Sequence, residues 1–304
     1  MSEAGAATSA AGEHLRIGQL LAGGGRSFSF EFFPPKDADG ERVLWQSISD
    51  LEPLRPTFVS VTYGAGGATR DRTVAITGRI ARETSLVPMA HLTCVGHTVR
   101  ELHEILGSLR EAGVHNVLAL RGDPPGGPRT TWVSTEGGVD RACDLVSLVH
   151  DDDGFSIGVA AFPEGHVDAD SLDQDVAVLK AKQDAGAEFA ITEMVLRASD
   201  YFGLVQRARA ADVRIPIIPG IMPILNLRSM NKMVELSGRQ MPEETRARIE
   251  PLADDPAALR AEGIRISTEL CDALLDGGAP GLHFYTLNRS KATREIFTAL
   301  SVNS

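Results

Sequence analysis

Short runs of β-branched and aromatic residues recur along this chain, and each is followed by a longer stretch whose apolar positions return every three or four residues. The strand-like runs cover 27–33, 58–64, 88–94, 116–122, 156–162, 189–195, 215–221 and 281–287. Helical spacing predicts helices over 43–52, 69–84, 98–112, 137–151, 170–185 and 198–209, in a longer region within 226–276, and over 289–300. Each is long enough for the crossover that a parallel neighbour requires. Several strands are apolar on successive residues, as in Val117-Leu118-Ala119-Leu120 and Ile215-Pro216-Ile217-Ile218, which suits strands covered on both faces. Eight strand–helix units close a barrel more naturally than they extend an open sheet. The expected fold class is α/β, a single (β/α)8 TIM barrel over residues 21–304, preceded by a flexible N-terminal segment, 1–20.

Composition narrows the class. The 304 residues suit a barrel, which typically runs to ~250 residues as one unit, and 43% hydrophobic with 23% charged residues leaves enough apolar side chain for a large core. A formal net charge of -11 argues against nucleic acid or anionic lipid as partners. Cys94, Cys143 and Cys271 are odd in number and widely spaced, with no CxxC pair, so a reducing compartment is expected, and neither disulfides nor a structural zinc. Residues 1–12 carry no basic leader, and no run approaches the ~18 apolar residues of a membrane span, so the expected location is the cytoplasm.

In such barrels the active site lies at the C-terminal ends of the strands. Here those ends carry Glu31, Thr62-Tyr63-Gly64, His91-Leu92-Thr93, Arg121-Gly122-Asp123, Glu164 with His166, Thr192-Glu193, and Thr286-Leu287-Asn288-Arg289. The Gly- and Pro-rich segment 124–138 reads as a long active-site loop and 237–258 as a second mobile cover.

Glu31 is flanked by aromatic residues in Phe28-Ser29-Phe30-Glu31-Phe32-Phe33 on a strand that must line the barrel. Desolvation there would raise its pKa and make it a general acid; the alternative is a carboxylate paired with a nearby Arg or Lys. Asp123 follows Gly122 and precedes two prolines, and it either binds the polar edge of a heterocycle or makes a local turn. The run Gly64-Ala65-Gly66-Gly67-Ala68-Thr69 opens a helix and either faces an anion or is a plain turn; it has neither Walker nor GxGxxG spacing. His91 and His166 sit outside any HxH or HExxH pattern, so ligand or backbone hydrogen bonding is expected of them, and no metal.

Taken in order, the motifs resemble those of the methylenetetrahydrofolate reductase family. They are Ser29-Phe30-Glu31-Phe32-Phe33-Pro34-Pro35-Lys36, Val59-Ser60-Val61-Thr62-Tyr63-Gly64-Ala65, His91-Leu92-Thr93-Cys94, Leu118-Ala119-Leu120-Arg121-Gly122-Asp123, Gly158-Val159-Ala160-Ala161-Phe162-Pro163-Glu164-Gly165-His166, Lys182-Gln183-Asp184-Ala185-Gly186-Ala187, Ile218-Pro219-Gly220-Ile221-Met222-Pro223 and His283-Phe284-Tyr285-Thr286-Leu287-Asn288-Arg289. The resemblance implies a catalytic barrel of the short type, without the family's C-terminal regulatory domain. It implies reduction of 5,10-methylenetetrahydrofolate to 5-methyltetrahydrofolate with NADH or NADPH, and FAD as the family's cofactor. By the same resemblance Glu31 is the acid for ring opening, Asp123 contacts folate and influences the flavin, and Thr62, His91, Arg121, Gly122, His166, Asp175 and Lys182 hold the flavin.

Three positions depart from the family's pattern. Glu193 stands where a folate-binding Gln is usual, Arg141 where a Tyr is common, and Leu227 where a Phe is common. An ionised Glu193 still accepts from the donors of a pterin edge, whereas Arg141 and Leu227 each remove an aromatic contact worth about 1 kcal/mol. Two routes therefore stand open, hydride relayed by a flavin and hydride passed directly from nicotinamide to an iminium. A folate-binding barrel without catalysis is the alternative from another class. The oligomeric state is left open.

Overall fold

Eight parallel strands close on themselves in sequence order in the computed structural model, which describes residues 15–64, 70–124, 127, 130–237 and 240–300. The strands are β1 (Ser27–Phe32), β2 (Phe58–Val61), β3 (Pro88–Thr93), β4 (Asn116–Leu120), β5 (Ser156–Ala161), β6 (Phe189–Met194), β7 (Ile217–Ile221) and β8 (Gly281–Tyr285). β8 pairs with β1 and seals the barrel, setting Ser29 opposite His283 and Glu31 opposite Tyr285. This is the (β/α)8 barrel expected from the alternating pattern.

The helices are α1 (Ile17–Ala22), α2 (Ala38–Leu51), α3 (Arg70–Glu83), α4 (Val99–Glu111), α5 (Ala142–Asp152), α6 (Leu172–Asp184), α7 (Ala198–Ala210), α8 (Leu227–Ser237), α9 (Glu243–Ile249), α10 (Pro256–Asp276) and α11 (Ser290–Ala299). α2 begins before the expected residue 43 because Asp37 caps it, accepting from the Gly40 N–H at 2.8 Å. α5 begins after the expected residue 137 because Gly137 has φ +70 and the extended Arg141 is the N-cap. The region 226–276 divides into α8, α9 and α10, so the expected cover at 237–258 contains a helix.

Alternation along β1 decides what lies inside. Phe28, Phe30 and Phe32 face the helices: Phe28 meets Phe297 of α11 edge-on at 4.9 Å, and the other two join the core built with Leu44, Ile48 and Leu51 of α2. Ser27, Ser29 and Glu31 therefore point inward. The lower interior is filled by Phe58, Met89, Leu118, Phe189, Ile191 and Ile218, and Ile17 of α1 plugs its floor. The first N–H groups of α1, at Ile17 and Gly18, donate to Asn116 Oδ1 and Ser156 Oγ, each at 2.8 Å. α1 thus lies across the boundary expected at residue 21.

Expected strands overrun the observed ones mainly at the mouth, where the backbone leaves the ladder. Gly122 has φ +80, and Leu287 and Asn288 have φ 50 and 56. Asn288 ties the two exits together, its Oδ1 accepting from the Phe33 N–H at 2.9 Å and its Nδ2 donating to the Phe33 carbonyl at 2.8 Å.

Candidate active site

Glu31 occupies the inward face of β1 at the mouth, with its side chain 16% exposed. Its Oε2 receives His283 Nε2 at 3.3 Å and Ser60 Oγ at 3.5 Å. His91 Nε2 also lies 3.3 Å from that oxygen, though outside hydrogen-bonding geometry. Burial drives the carboxyl pKa upward, but the two imidazoles outweigh it and hold the group at about 2. The raised pKa expected from the aromatic flanks is therefore corrected. Those rings face the helix layer, and the carboxylate faces imidazoles rather than the Arg or Lys of the alternative reading.

His283 is fully buried, stacked on Phe58 at 5.8 Å and met edge-on by Tyr285 at 5.4 Å. Its Nδ1 lies 2.8 Å from Ser29 Oγ. Tyr285 reaches across β7 and donates to the Thr192 carbonyl at 2.7 Å. At that point the β6–β7 register shifts between Ile191 and Met194, and the Thr192 hydroxyl holds the bulge, donating to the Glu193 carbonyl at 2.7 Å and accepting from the Gly220 N–H at 2.9 Å. Glu193 emerges half-buried from this bulge. Ser29, Ser60, His283 and Tyr285 were not singled out from the sequence. Period-2 reading of β1 beside its two neighbours finds them, since Gly281, His283 and Tyr285 of β8 share the face of Ser27, Ser29 and Glu31, and Ser60 of β2 stands opposite Glu31.

A second group gathers at the ends of β4 and β5. Arg121 pairs with Asp168 at 3.0 Å and lies over the Trp132 ring at 5.2 Å. Trp132, from the 124–138 loop, is itself held by Asp140 at 3.1 Å. His166 Nδ1 accepts from the Asp168 N–H at 3.1 Å, and burial lowers the His166 pKa. Lys182 is 6% exposed and donates to the Ala160 carbonyl at 2.8 Å. Burial pulls its pKa down to about 8 against the opposing field of buried Asp175, two turns earlier on α6.

The structure thus separates the expected flavin residues: His91 joins Glu31, whereas Arg121, His166, Asp175 and Lys182 form their own group. Thr62 is half-buried where β2 leaves the sheet, and its carbonyl accepts from Thr73 Oγ1 at 2.9 Å. Gly122 brings backbone against β3, since a Cβ there would meet Val95 Cγ1 at 2.6 Å and Thr93 Cβ at 2.8 Å. Asp123 beyond it is exposed. Arg141 is exposed at the start of α5. Leu227 opens α8 and packs with Tyr285 on a cluster containing Met194, Met222, Met230 and Met241. Of the glycine run, residues 65–69 lie outside the described residues. Among the described residues no group of three His, Cys, Asp or Glu side chains is placed to hold a metal, and no helix is long and apolar enough to cross a membrane.

The model of the methylenetetrahydrofolate reductase family matches residues 16–301. Methylenetetrahydrofolate reductase (NADH) 1 of Arabidopsis thaliana is 37% identical over 298 residues, covering 94% of this chain. The chain spans about half the length of that plant relative, 50%. The 5,10-methylenetetrahydrofolate reductase of Escherichia coli (strain K12) is 38% identical over 275 residues, covering 90% of each protein. Among solved structures, a Clostridium thermocellum protein that binds two copies of 5-methyl-5,6,7,8-tetrahydrofolic acid superposes with TM-score 0.59 at 12% identity, over 95% of this chain and 99% of that one, a likeness of fold.

Proposed function

The chain belongs to the methylenetetrahydrofolate reductase family, and from that premise we propose that it reduces 5,10-methylenetetrahydrofolate to 5-methyltetrahydrofolate with NADH. The observation that carries the reading is a carboxyl group, Glu31, held by hydrogen bonds at the centre of the barrel mouth. Ring opening needs a proton on the folate nitrogen N10 as its bond to the bridging methylene breaks, which leaves an iminium on N5. Glu31 delivers that proton. Ionised in the open site, it takes up a proton from water or the imidazoles beside it as the pterin covers it and strips its remaining water, and so becomes a competent acid. Hydride from the nicotinamide then adds to the methylene carbon, and NADH leaves as NAD⁺.

Asp123 and Glu193 accept hydrogen bonds from the donor edge of the pterin. The soft surface of Leu227 with its methionines takes the apolar middle of the folate.

A flavin as hydride relay would meet Arg121 and Lys182, whose contacts to Asp168 and the Ala160 carbonyl each use one N–H of several. Arg141 and Leu227, however, offer no aromatic face for its ring system, and this supports direct transfer between stacked nicotinamide and pterin. Substrate exchange from water at the open mouth fits a soluble metabolic role in the cytoplasm.

The test is NADH oxidation by the purified protein with methylenetetrahydrofolate, with and without added FAD. The expected preparation is colourless, active, and indifferent to FAD. Absence of NADH oxidation under both conditions overturns the function. Activity that appears only with FAD, together with a visible flavin band, overturns the direct route.

A further inference from the structure

The Ser29 hydroxyl has one hydrogen and two neighbours, the Leu282 carbonyl at 3.4 Å and His283 Nδ1 at 2.8 Å. A carbonyl only accepts. If Ser29 donates to it, Nδ1 must carry a hydrogen and donate to Ser29, and both contacts are hydrogen bonds; if Ser29 donates to Nδ1, only one is. The first arrangement satisfies more of a fully buried cluster, where Ser29 and His283 are both 0% exposed. It has a consequence at the other end of the ring. With Nδ1 protonated, a neutral His283 presents a bare Nε2 lone pair to Glu31 Oε2 at 3.3 Å, and a carboxylate there would set lone pair against lone pair.

We propose that Glu31 and His283 share one proton, and that Ser29 fixes the imidazole tautomer so that this proton lies between them. His283 is a positioning residue that stores, next to Glu31, the proton that the carboxyl passes to the substrate. When that proton leaves for N10, the bare pair is electrostatically unfavourable and reloads from solvent through the 16% exposed Glu31 side chain. Three other groups face the pair: His91, whose Nε2 lies 3.3 Å from the same oxygen but off the hydrogen-bond direction and whose field also holds the carboxyl down, Ser60, which donates at 3.5 Å, and Tyr285, whose hydroxyl donates to the Thr192 carbonyl. Phe58 holds the ring plane by stacking.

The role in turnover rests on the proposed reductase reading, but the shared proton can be read without turnover. Nitrogen-15 NMR of the histidines in the ligand-free protein at neutral pH is expected to show His283 Nδ1 protonated, and to show Nδ1 bare in Ser29→Ala, where Nε2–H is free to form. In kinetics, Ser29→Ala should move the alkaline limb of kcat/KM down by about one pH unit, the scale of one charge-assisted hydrogen bond. Ser29→Thr, which keeps the hydroxyl, should restore it. A bare Nδ1 in the wild-type protein, or an unmoved alkaline limb in a folded Ser29→Ala variant, overturns the proposal. A protein that shows the expected NMR signature but never oxidises NADH retains the shared proton and loses the reductase function.

Discussion

Gly220 lies beneath the hydrogen bond from the Tyr285 hydroxyl to the Thr192 carbonyl, and a Cβ at Gly220 would come within 2.6 Å of that hydroxyl and 2.4 Å of that carbonyl oxygen. The contact joins β8 to the bulge of β6 by passing over β7, so the absence of a side chain at Gly220 is what lets it form. Gly220→Ala must push Tyr285 and the bulge apart. The expected cost is about 1–3 kcal/mol in denaturant unfolding, with a larger fractional loss of activity than Thr192→Ser, which keeps the hydroxyl. Unchanged stability and turnover would show that the bridge does not hold the bulge.

Glu31→Gln removes the proposed acid while keeping the side chain's shape. Turnover should fall by about 10²–10⁴-fold, while NADH binding by calorimetry stays unchanged. Its acid stability supplies a second reading. The carboxyl titrates at about 2 rather than the usual 4.5, so the unfolded chain binds more protons than the folded one in that window. Stability from this group is fully present above about 4.5 and is lost as pH falls through about 2. Urea unfolding at stepped pH should therefore show the wild-type advantage over Glu31→Gln shrinking across that interval.

The number and order of the strands were legible because each crosses the barrel wall with one face to helices and one to a filled interior, which produces runs such as 116–120 that are apolar on successive residues. The Glu31 carboxylate was legible as a residue, but its environment was not. Phe30 and Phe32 are adjacent to Glu31 along the chain yet on the opposite face, whereas His91 and His283 are distant in sequence and close in space. Ser29 and Tyr285 stand in the sequence motifs without a role of their own because their importance lies in the β1–β8 pairing, which exists only once the barrel closes. The Arg121–Asp168 pair is of the same kind, since nothing local to either residue selects its partner.

Lys182→Met tests what the buried ammonium costs. Its pKa is lowered to about 8 from 10.5, chiefly by burial, so between these values the folded protein binds fewer protons than the unfolded chain and wild-type stability rises with pH. Below about 8 the wild type carries a desolvation penalty of up to about 3 kcal/mol, offset in part by the hydrogen bond to Ala160. Lys182→Met should accordingly be the more stable protein at neutral pH, and its advantage should vanish between about 8 and 10.5. A stability difference that does not change with pH would mean the ammonium is not desolvated.

Leu227→Phe places at the start of α8 the aromatic ring that the family resemblance implies there. The site can receive it: Leu227 is only half-buried, and its neighbours Met194, Met222, Met230 and Met241 are unbranched side chains that repack at low cost. Leucine offers the ligand an aliphatic edge, whereas phenylalanine offers a π face that stacks on a flat ring for about 1 kcal/mol more. If Leu227 borders the folate, KM for methylenetetrahydrofolate should fall by roughly fivefold, with kcat unchanged or lower if product release limits turnover. If the position borders the nicotinamide instead, the fall will appear in KM for NADH. Steady-state kinetics with each substrate varied in turn distinguishes the two, and KM values that both remain at the wild-type level would place Leu227 outside the ligand-binding surface.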